Sequence, residues 1–363
     1  MEKRKGSLNR RQFLKSLAVA GSALATTGML GINRRRAFAQ GTTELTFGYL
    51  PLSSFVQVFL AEDLGYLKEA GITLKYERVD SGAKAKAFLA SGELDMAGGG
   101  VAASLFNALT RGFPIKLVAE KGMYLSGLPG SAQILVRKDL YDRGVRSLKD
   151  LKGLKVAGSA RGSVSHYYLA NSFERAGLSE KDVDLVFMPF PQMISALAGK
   201  AIDACEEVEP FVTRAISLGH AVSIVDLADL FPNEQYAHLF YGQKFISAKP
   251  KLAQAFVEAY VRGIRKYYEL GPYHDTVLAS LEKHTNVKKE VTKKLVPVFF
   301  DINGDINMGG LKQQHDWFVK TGLSQKVELA NLVDRSFLSA VWEKIGKKEN
   351  PGKEWWDKVK LPG

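Results

Sequence analysis

Two successive runs of alternating strand-like and helix-like segments are the feature that most constrains this sequence. From residue 44 to 119, apolar runs of period two alternate with segments in which apolar residues recur at helical spacing. The same alternation restarts after a Gly- and Pro-rich break at 126–130 and continues to residue 241. Repeated β-α-β units predict a largely parallel sheet covered by helices on both faces. We therefore predict an α/β protein with two doubly wound domains.

The pattern also predicts where the strands lie and how the domains divide. From residue 250 to 344 the spacing is almost purely helical, and the polar tail at 347–363 is expected to be exposed or loosely docked. We predict a discontinuous lobe 1, residues 40–130 and 247–363, and a lobe 2 at 131–246. The predicted strands are 45–50, 72–79, 94–97, 115–119, 132–136, 155–157, 184–187, 202–205 and 237–241.

The first 39 residues have the features of an export signal. Arg10 and Arg11 precede Phe13-Leu14-Lys15, which resembles the twin-arginine pattern R-R-x-F-L-K. The mildly apolar run that follows, 17–32, is shorter than the roughly 20 residues that span a bilayer. Ala37-Phe38-Ala39 then supplies a small-x-small cleavage site, so the mature chain is expected to begin at Gln40. We predict export through the twin-arginine translocase to the periplasm.

Charge and cysteine content exclude several classes of protein. Residues 1–39 contain nine basic residues and one acidic residue, so they carry +8 of the formal net charge of +12. The remaining charge is small and scattered, and we predict no nucleic-acid binding. Cys205 is the only cysteine, so the chain forms no internal disulfide, and we expect a small buried hydrophobe there. The six histidines show no metal-ligand spacing, and we expect no metal and no cofactor.

Small residues and hydroxyls follow the predicted strands. In doubly wound sheets, ligands bind beyond the carboxyl ends of the strands, at loops and helix N-termini. Ordinary helix capping uses the same residue types and is the alternative for each loop taken singly. The loops in question are 51–55, 80–82, 98–101, 158–166, 188–191 and 206–210.

The order and spacing of several segments carry a resemblance. The segments are 45–51 (Leu-Thr-Phe-Gly-Tyr-Leu-Pro), 61–72, 89–95, 147–153, 162–167, 203–204 and 209–211. Together they resemble the solute-binding proteins of ABC importers, in the group with sulfonate-, taurine-, nitrate- and thiamine-pyrimidine-binding members. The family implies a bilobed periplasmic binding protein of type II, a venus flytrap that closes on a small molecule. It also implies delivery to an ABC permease in the inner membrane, and a monomer.

Carried over position by position, the resemblance implies a set of ligand contacts on both sides of a cleft. The implied contacts are Pro51, Ser53, Ser54, Phe55, Ser81, Gly82, Gly99, Gly100, Tyr124, Gly162, Ser163, His166 and Glu209. Arg161, Pro189 and Glu207, which stand in the same strand-end loops, complete the predicted site.

The charge of the ligand stays open. Glu206 and Glu207 point to opposite sides of a strand, so at least one is expected to face the cleft. A carboxylate there repels a sulfonate or nitrate, whereas Arg161 suits an anion. Arg161 and the carboxylate could instead form a solvated ion pair at the rim of the cleft. The sequence thus leaves a sulfonate, a nitrogen heterocycle or an aromatic acid as the solute class.

Two other functions compete with transport. Thiamine-pyrimidine synthases share the fold but carry a cysteine-rich iron-binding run, which a chain with one cysteine lacks. The sequence has no phosphate loop, zinc-protease motif or nucleophile elbow, and we predict that it is not an enzyme. A periplasmic sensor domain that presents its ligand to a membrane receptor is the second alternative.

Overall fold

The computed structural model describes residues 41–113 and 115–359. The predicted export signal, with Arg10 and Arg11, and its cleavage site at Ala39 and Gln40 lie outside the described residues. Within the described part of the chain, no helix is both long enough and apolar enough to cross a membrane.

Ten strands form two five-stranded sheets, and each sheet is the centre of one lobe. The first sheet has the strand order β2-β1-β3-β10-β4 and the second has the order β7-β6-β8-β5-β9. The strands are β1 (Thr43–Tyr49), β2 (Ile72–Arg78), β3 (Met96–Gly99), β4 (Ile115–Met123), β5 (Ala132–Arg137), β6 (Lys155–Gly158), β7 (Asp184–Phe187), β8 (Ala204–Val208), β9 (Ala221–Asp226) and β10 (Gln235–Gly242).

Helices cover both sheets, and the C-terminal third of the described chain is helical, as the spacing predicts. The α-helices are α1 (Val56–Asp63), α2 (Tyr66–Glu69), α3 (Gly82–Ser91), α4 (Ala103–Thr110), α5 (Lys138–Asp142), α6 (Val164–Arg175), α7 (Phe190–Ala198), α8 (Phe211–Ser217), α9 (Leu227–Leu230), α10 (Gln243–Ala248), α11 (Pro250–Leu270), α12 (Asp275–Thr285), α13 (Lys289–Thr292), α14 (Met308–Lys320), α15 (Leu329–Leu332), α16 (Ser336–Ile345) and α17 (Lys353–Val359). Short 3-10 turns occupy Ser53–Phe55, Leu148–Leu151 and Glu180–Asp182.

The sheets are largely parallel, as the strand–helix alternation predicts, with one reversed strand in each. In the first sheet β2, β1 and β3 are parallel, while β10 is antiparallel to both β3 and β4, so β4 runs in the same direction as β3. In the second, β7, β6 and β8 are parallel, and β5 is antiparallel to β8 and β9, so β9 runs in the same direction as β8. Four of the five strands in each sheet therefore share one direction, and only β10 and β5 depart from the pattern that β-α-β units produce.

Strand β10 corrects the predicted boundary of the second lobe. Residues 237–241 were assigned to lobe 2, which we placed at 131–246, but β10 lies between β3 and β4 of the first sheet. His238 pairs with Gly99 and Tyr241 with Met96. The chain therefore returns to the first lobe before Gln235, not at residue 247. Antiparallel pairing of a strand distant in sequence leaves no periodic signal, which is why the pattern missed it.

The longest helix, α11, packs closely against the first lobe. It begins with Pro250, whose missing N–H costs nothing at the first helical position. Phe256 stacks on Phe47 of β1 with ring centroids 5.9 Å apart. A Cβ at Gly263 would collide with the carbonyl oxygen of Gln57, so only glycine permits this approach of α11 to α1.

The tail is docked through specific contacts. Asn350 accepts from the Ile302 N–H at 2.7 Å and donates to Asp301 Oδ2 at 2.7 Å. Trp355 Nε1 donates to the Tyr268 carbonyl oxygen at 2.9 Å, and its ring meets the Tyr268 ring edge-on at 4.8 Å. The described part of the tail, 347–359, is therefore part of the first lobe rather than a loose extension.

Substitution of Trp355 by Ala should lower the stability of the first lobe. The half-buried indole loses both its aromatic contact and its hydrogen bond, and we expect a loss of about 2 kcal/mol in the free energy of unfolding, measured by urea denaturation. Trp356→Ala is the matched control, because it removes the same side chain at the next position, where the indole ring lies 6.0 Å from the Phe299 ring. Equal unfolding midpoints for the two variants would contradict the docking described here.

Candidate functional site

A cavity of about 730 Å³, part of it open to solvent, lies between the two lobes. Most of its lining comes from segments at the ends of strands, where doubly wound sheets bind ligands. We call it the interlobe cavity. Its lining residues are Leu50, Leu52, Ser53, Ser54, Phe55, Gly82, Gly99, Gly100, Val101, Ala102, Lys121, Tyr124, Ser131, Ala132, Ser159, Ser163, Val164, Ser165, Tyr168, Phe190, Glu206, Val208, Glu209, Tyr236 and Ala237.

Nine of the sixteen residues in the predicted ligand site line this cavity. They are Ser53, Ser54, Phe55, Gly82, Gly99, Gly100, Tyr124, Ser163 and Glu209. Their position in the lining places them where a ligand could bind, and a contact of each with a ligand stays a prediction.

The other seven predicted residues lie outside the lining. Pro51 and Pro189 border a second, smaller cavity of about 490 Å³. Ser81 caps α3, where its Oγ accepts from Lys84 N at 3.3 Å. Gly162 donates its N–H to His166 Nδ1 at 3.1 Å, and the His166 Nε2 atom is 3.0 Å from Glu180 Oε1.

Arg161 and Glu207 were the residues on which the charge of the ligand depended. The Arg161 guanidinium lies 5.5 Å from the Phe187 ring centroid and does not line the cavity. Glu207 is fully buried on the opposite face of β8 from Glu206, with Oε1 accepting from Val208 N at 3.1 Å. Glu206 is therefore the member of the pair that faces the cavity, because alternate residues of a strand point to opposite faces.

Lys121 is a lining residue that the sequence reading missed. It stands in β4 and is 1% exposed, and its Nζ donates to the carbonyl oxygen and Oγ of Ser54 at 2.9 and 2.8 Å. The ammonium also lies 3.6 Å from the Phe55 ring centroid. Burial lowers the pKa of Lys121 well below its usual range, although Glu120 opposes the shift. The predicted strand ended at residue 119, and Lys121 lies in the extension of β4 beyond that point.

A second buried lysine lies directly behind the glycines of the lining. Lys86 of α3 is fully buried, and its Nζ donates to the Gly100 carbonyl oxygen at 2.8 Å. Burial lowers its pKa to about 7. His238 of β10 lies near both lysines; burial, then Lys86 and Lys121, lower its pKa to about 3, so its ring is neutral. The first lobe thus places two lysine amines at and behind the cavity wall, both with a pKa that burial lowers.

The second lobe contributes hydroxyls and the carboxyl groups of Glu206 and Glu209. Ser163 caps α6 by accepting from His166 N at 3.4 Å. Two residues further on, Ser165 accepts from Ser159 N at 2.9 Å and donates to Glu206 Oε2. Burial raises the pKa of Glu206 to about 7, against the stabilising effect of the Ser165 bond. This wall therefore presents an acceptor to whatever occupies the cavity.

Glu209 holds the two lobes together. Its Oε1 accepts from Thr213 Oγ1 at 2.7 Å and from Val296 N, in the helical part of the chain, at 3.0 Å. Its carbonyl oxygen accepts from Ser53 N at 3.2 Å. Glu209 lines the cavity, but both carboxylate oxygens are engaged within the protein, since Oε2 accepts from Thr213 N at 3.1 Å.

Further contacts join the lobes elsewhere around the cavity. Ala103 N donates to the Gly162 carbonyl oxygen at 2.8 Å, and the hydroxyls of Ser131 and Tyr236 are 3.0 Å apart. A Cβ at Gly100 would collide with Val164 and lie 2.9 Å from the Tyr236 carbonyl oxygen. The lobes are therefore closed on one another, and glycine at position 100 is what permits this approach.

The sequence can now be placed in a family. The model of the NMT1-like family matches residues 39–271, well over half of the chain. The chain belongs to the NMT1-like family. The matched region contains the described strands of both sheets and every lining residue of the interlobe cavity.

This NMT1-like protein is similar in sequence to named binding proteins, and it is similar in fold to a binding protein and to an enzyme. A protein of Brucella abortus (strain 2308), named as a binding protein, is 27% identical over 196 residues, a match covering 50% of this chain and 60% of that protein's length. The alkanesulfonate-binding protein SsuA of Xanthomonas axonopodis pv. citri, solved with MOPS, has a TM-score of 0.66 at 18% identity, covering 82% of this chain and 99% of its own. The desulfurization enzyme DSZB has a TM-score of 0.61 at 18% identity, covering 83% and 99%. Such structural likeness shows the bilobed α/β fold alone.

The buried carboxyl groups predict how the NMT1-like protein responds to pH. Burial raises the pKa of Glu206, Glu209 and Glu234 to about 7 from an ordinary 4.5. Between pH 4.5 and 7 the folded state then holds more protons than the unfolded state, so the contribution of these groups to stability falls as pH rises through that window. Below pH 4.5 their contribution no longer changes with pH.

We expect Glu206→Gln to remove part of this pH dependence. Relative to the unsubstituted protein, the variant should gain about 2 kcal/mol of stability at pH 8 and little at pH 5, measured by urea denaturation at both pH values. Glu349→Gln, at an exposed position, is the control and should follow the unsubstituted protein. Parallel pH profiles for all three proteins would refute the assignment.

Proposed function

We propose that this protein is the periplasmic solute-binding component of an ABC-type importer, which captures a small organic solute by closure of its two lobes. The interlobe cavity, lined by residues of both lobes and partly open to solvent, is the observation that carries this proposal. Its volume of about 730 Å³, which includes the part open to solvent, can accommodate a small organic molecule. Membership of the NMT1-like family and the names of its relatives support the same function.

Closure is the functional step in this proposal. The interlobe hydrogen bonds of Glu209 and Gly162 exist only when the lobes meet, so an open form must lose them. A ligand that contacts both lobes favours the closed form by its differential affinity for the two states. The closed protein then offers a permease a surface that the open form lacks.

The remaining elements of the proposal concern export and partners. Arg10 and Arg11 direct the protein through the twin-arginine translocase, and cleavage between Ala39 and Gln40 releases it into the periplasm. A single protomer carries a complete cavity, which supports a monomeric binder with an ABC permease as its partner.

We also propose that the protein catalyses no reaction. This part needs its own argument because one structural neighbour is an enzyme. Among the described residues, those that line the cavity include neither cysteine nor histidine, the side chains most suited to nucleophilic or acid–base work at neutral pH. Cys205 lies fully buried in β8 beside Glu206, and burial raises its pKa well above the usual range. A thiol in that state is a poor nucleophile.

A solute that binds the folded protein should raise its melting temperature. At a hundredfold excess over Kd the stabilisation is about 2.7 kcal/mol, which is several degrees for a chain of this size. The purified protein would be unfolded and refolded to remove any bound solute, then melted with alkyl sulfonates, nitrate, aromatic carboxylates and aminopyrimidines. The solute that raises the melting temperature is then recovered, and its molecular mass is measured by mass spectrometry. Recovery of an altered molecule would favour the enzyme alternative.

Gly100→Ala tests the role of closure. The added methyl group collides with Val164 of the other lobe in the closed form, and it also lies 2.9 Å from the Tyr236 carbonyl oxygen of its own sheet. We expect the ligand-induced shift in melting temperature to fall by at least half, while the melting temperature of the ligand-free protein reports the separate cost of the contact with Tyr236. Gly352→Ala is the control, because a Cβ there meets nothing within 4 Å. A full shift in Gly100→Ala would show that closure is not needed for binding.

A further inference from the structure

The first lobe buries a cation in the cavity wall without a partner of opposite charge. An ammonium group has three protons to donate, and Lys121 Nζ gives two of them to the neutral oxygens of Ser54. Among the described residues no carboxylate forms an ion pair with it. Its neighbour Glu120 is engaged elsewhere, where its oxygens accept from Gly122 N at 2.7 Å and Asp301 N at 3.0 Å. Holding this amine in its charged form without a partner is costly, which is why burial lowers its pKa, and an anion in the cavity would offset that cost.

Other groups add to the positive potential at the same wall. Gly82, the first residue of α3, lines the cavity, and the N-terminus of a helix carries partial positive charge. The ammonium of Lys86 lies behind this point, 3.3 Å from where a Cβ of Gly99 would be. The described part of the chain gives Lys86 no carboxylate partner either. One buried lysine of the lining and a helix N-terminus therefore face one region of the cavity, and a second buried lysine lies behind it.

The opposite wall presents an acceptor with spare capacity. Glu206 is 2% exposed and lines the cavity, with Oε2 bonded to Ser165. Its second oxygen, Oε1, has no hydrogen-bond partner in the described residues. Glu206 and Lys121 form no ion pair with each other, so neither cancels the charge of the other. A donor on the ligand would complete the hydrogen bonding of Glu206.

We propose that the solute is a small organic acid whose anionic group pairs with Lys121 and whose far end carries a hydroxyl or N–H that donates to Glu206. Between these ends the lining is apolar and aromatic, with Phe55, Val101 and Phe190 available to pack on a carbon body. This inference rests on the proposed function and names its substrate class. It makes Lys121 and Glu206 the residues that determine specificity.

Matched probes separate the two ends of the ligand. The acid-plus-donor probes are para-hydroxybenzoate and ω-hydroxyhexanoate, and para-hydroxybenzenesulfonate replaces the carboxylate by a sulfonate. Benzoate lacks the donor, para-hydroxybenzyl alcohol lacks the acid and para-hydroxybenzylamine reverses the charge. Affinities for the purified protein, stripped of bound solute by refolding, are measured by isothermal titration calorimetry. We expect an acid-plus-donor probe to bind most tightly.

Two variants test the assigned residues. Lys121→Met should weaken binding of the acid probes about 100-fold while changing the affinity for para-hydroxybenzyl alcohol little. Glu206→Gln should reduce the preference for para-hydroxybenzoate over benzoate about tenfold. The controls are Lys116→Met, on the same strand but outside the lining, and Glu207→Gln, on the opposite face of β8. If Lys121→Met does not fold, Glu206→Gln still tests the donor end independently.

The outcomes distinguish this inference from the function on which it rests. Binding confined to neutral or cationic probes, or acid binding that Lys121→Met leaves unchanged, would overturn the inference and leave a solute-binding protein. Equal preference for donor-bearing and donor-free acids would overturn the role of Glu206. Absence of binding by every probe and by the wider solute panel would count against the inference and the proposed function together.

Discussion

Burial of charge between two apolar sheets is the constraint on which this structure depends. An ammonium or carboxylate removed from water must find donors or acceptors, or the fold loses several kcal/mol. Here Lys121 donates hydrogen bonds to Ser54, and Ser165 donates one to the Glu206 carboxyl group. Backbone N–H groups from both lobes donate to Glu209. These bonds fix the strand-end loops relative to the sheets. They also leave the cavity with charge that neighbouring side chains do not cancel, and this sets what can occupy it.

Much of the architecture follows from local patterns in the sequence. Two rounds of strand–helix alternation and a helical C-terminal part are what a bilobed α/β fold requires, and the structure has both. The strand-end loops also pointed to the correct side of each sheet, since residues 53–55 and 99–101 and Ser163 line one cavity. What periodicity does not encode is pairing between distant strands. Strand β10 was therefore assigned to the wrong lobe, and the one reversed strand of each sheet, β10 or β5, was not foreseen.

The chemistry of the site was harder to predict than its position. Alternation along β8 required Glu206 and Glu207 to face opposite ways, but only the register with β5 decides which one meets the cavity. Arg161 lies between the lining residues Ser159 and Ser163 in the sequence, but it does not itself line the cavity. Its guanidinium group lies over the Phe187 ring instead. Lys121 was overlooked because the predicted strand ended at residue 119, whereas β4 continues to Met123 and includes Glu120 and Lys121. Charged residues are ordinarily expected to face solvent, so the pattern gave no reason to place Lys121 in a buried wall.

The distribution of charge also explains why closure and recognition belong together. When the lobes close without a ligand, Lys121 has only neutral acceptors on one wall and Glu206 Oε1 has no donor on the other. The stabilisation of that closed form then comes mainly from the interlobe hydrogen bonds of Glu209 and Gly162. A ligand that bridges the walls supplies both missing partners at once, and its contribution appears only when the lobes meet. Interactions made only in the closed state are those that shift the equilibrium towards it. Selectivity then follows from the same source, because a solute lacking either end leaves one buried polar group unpaired.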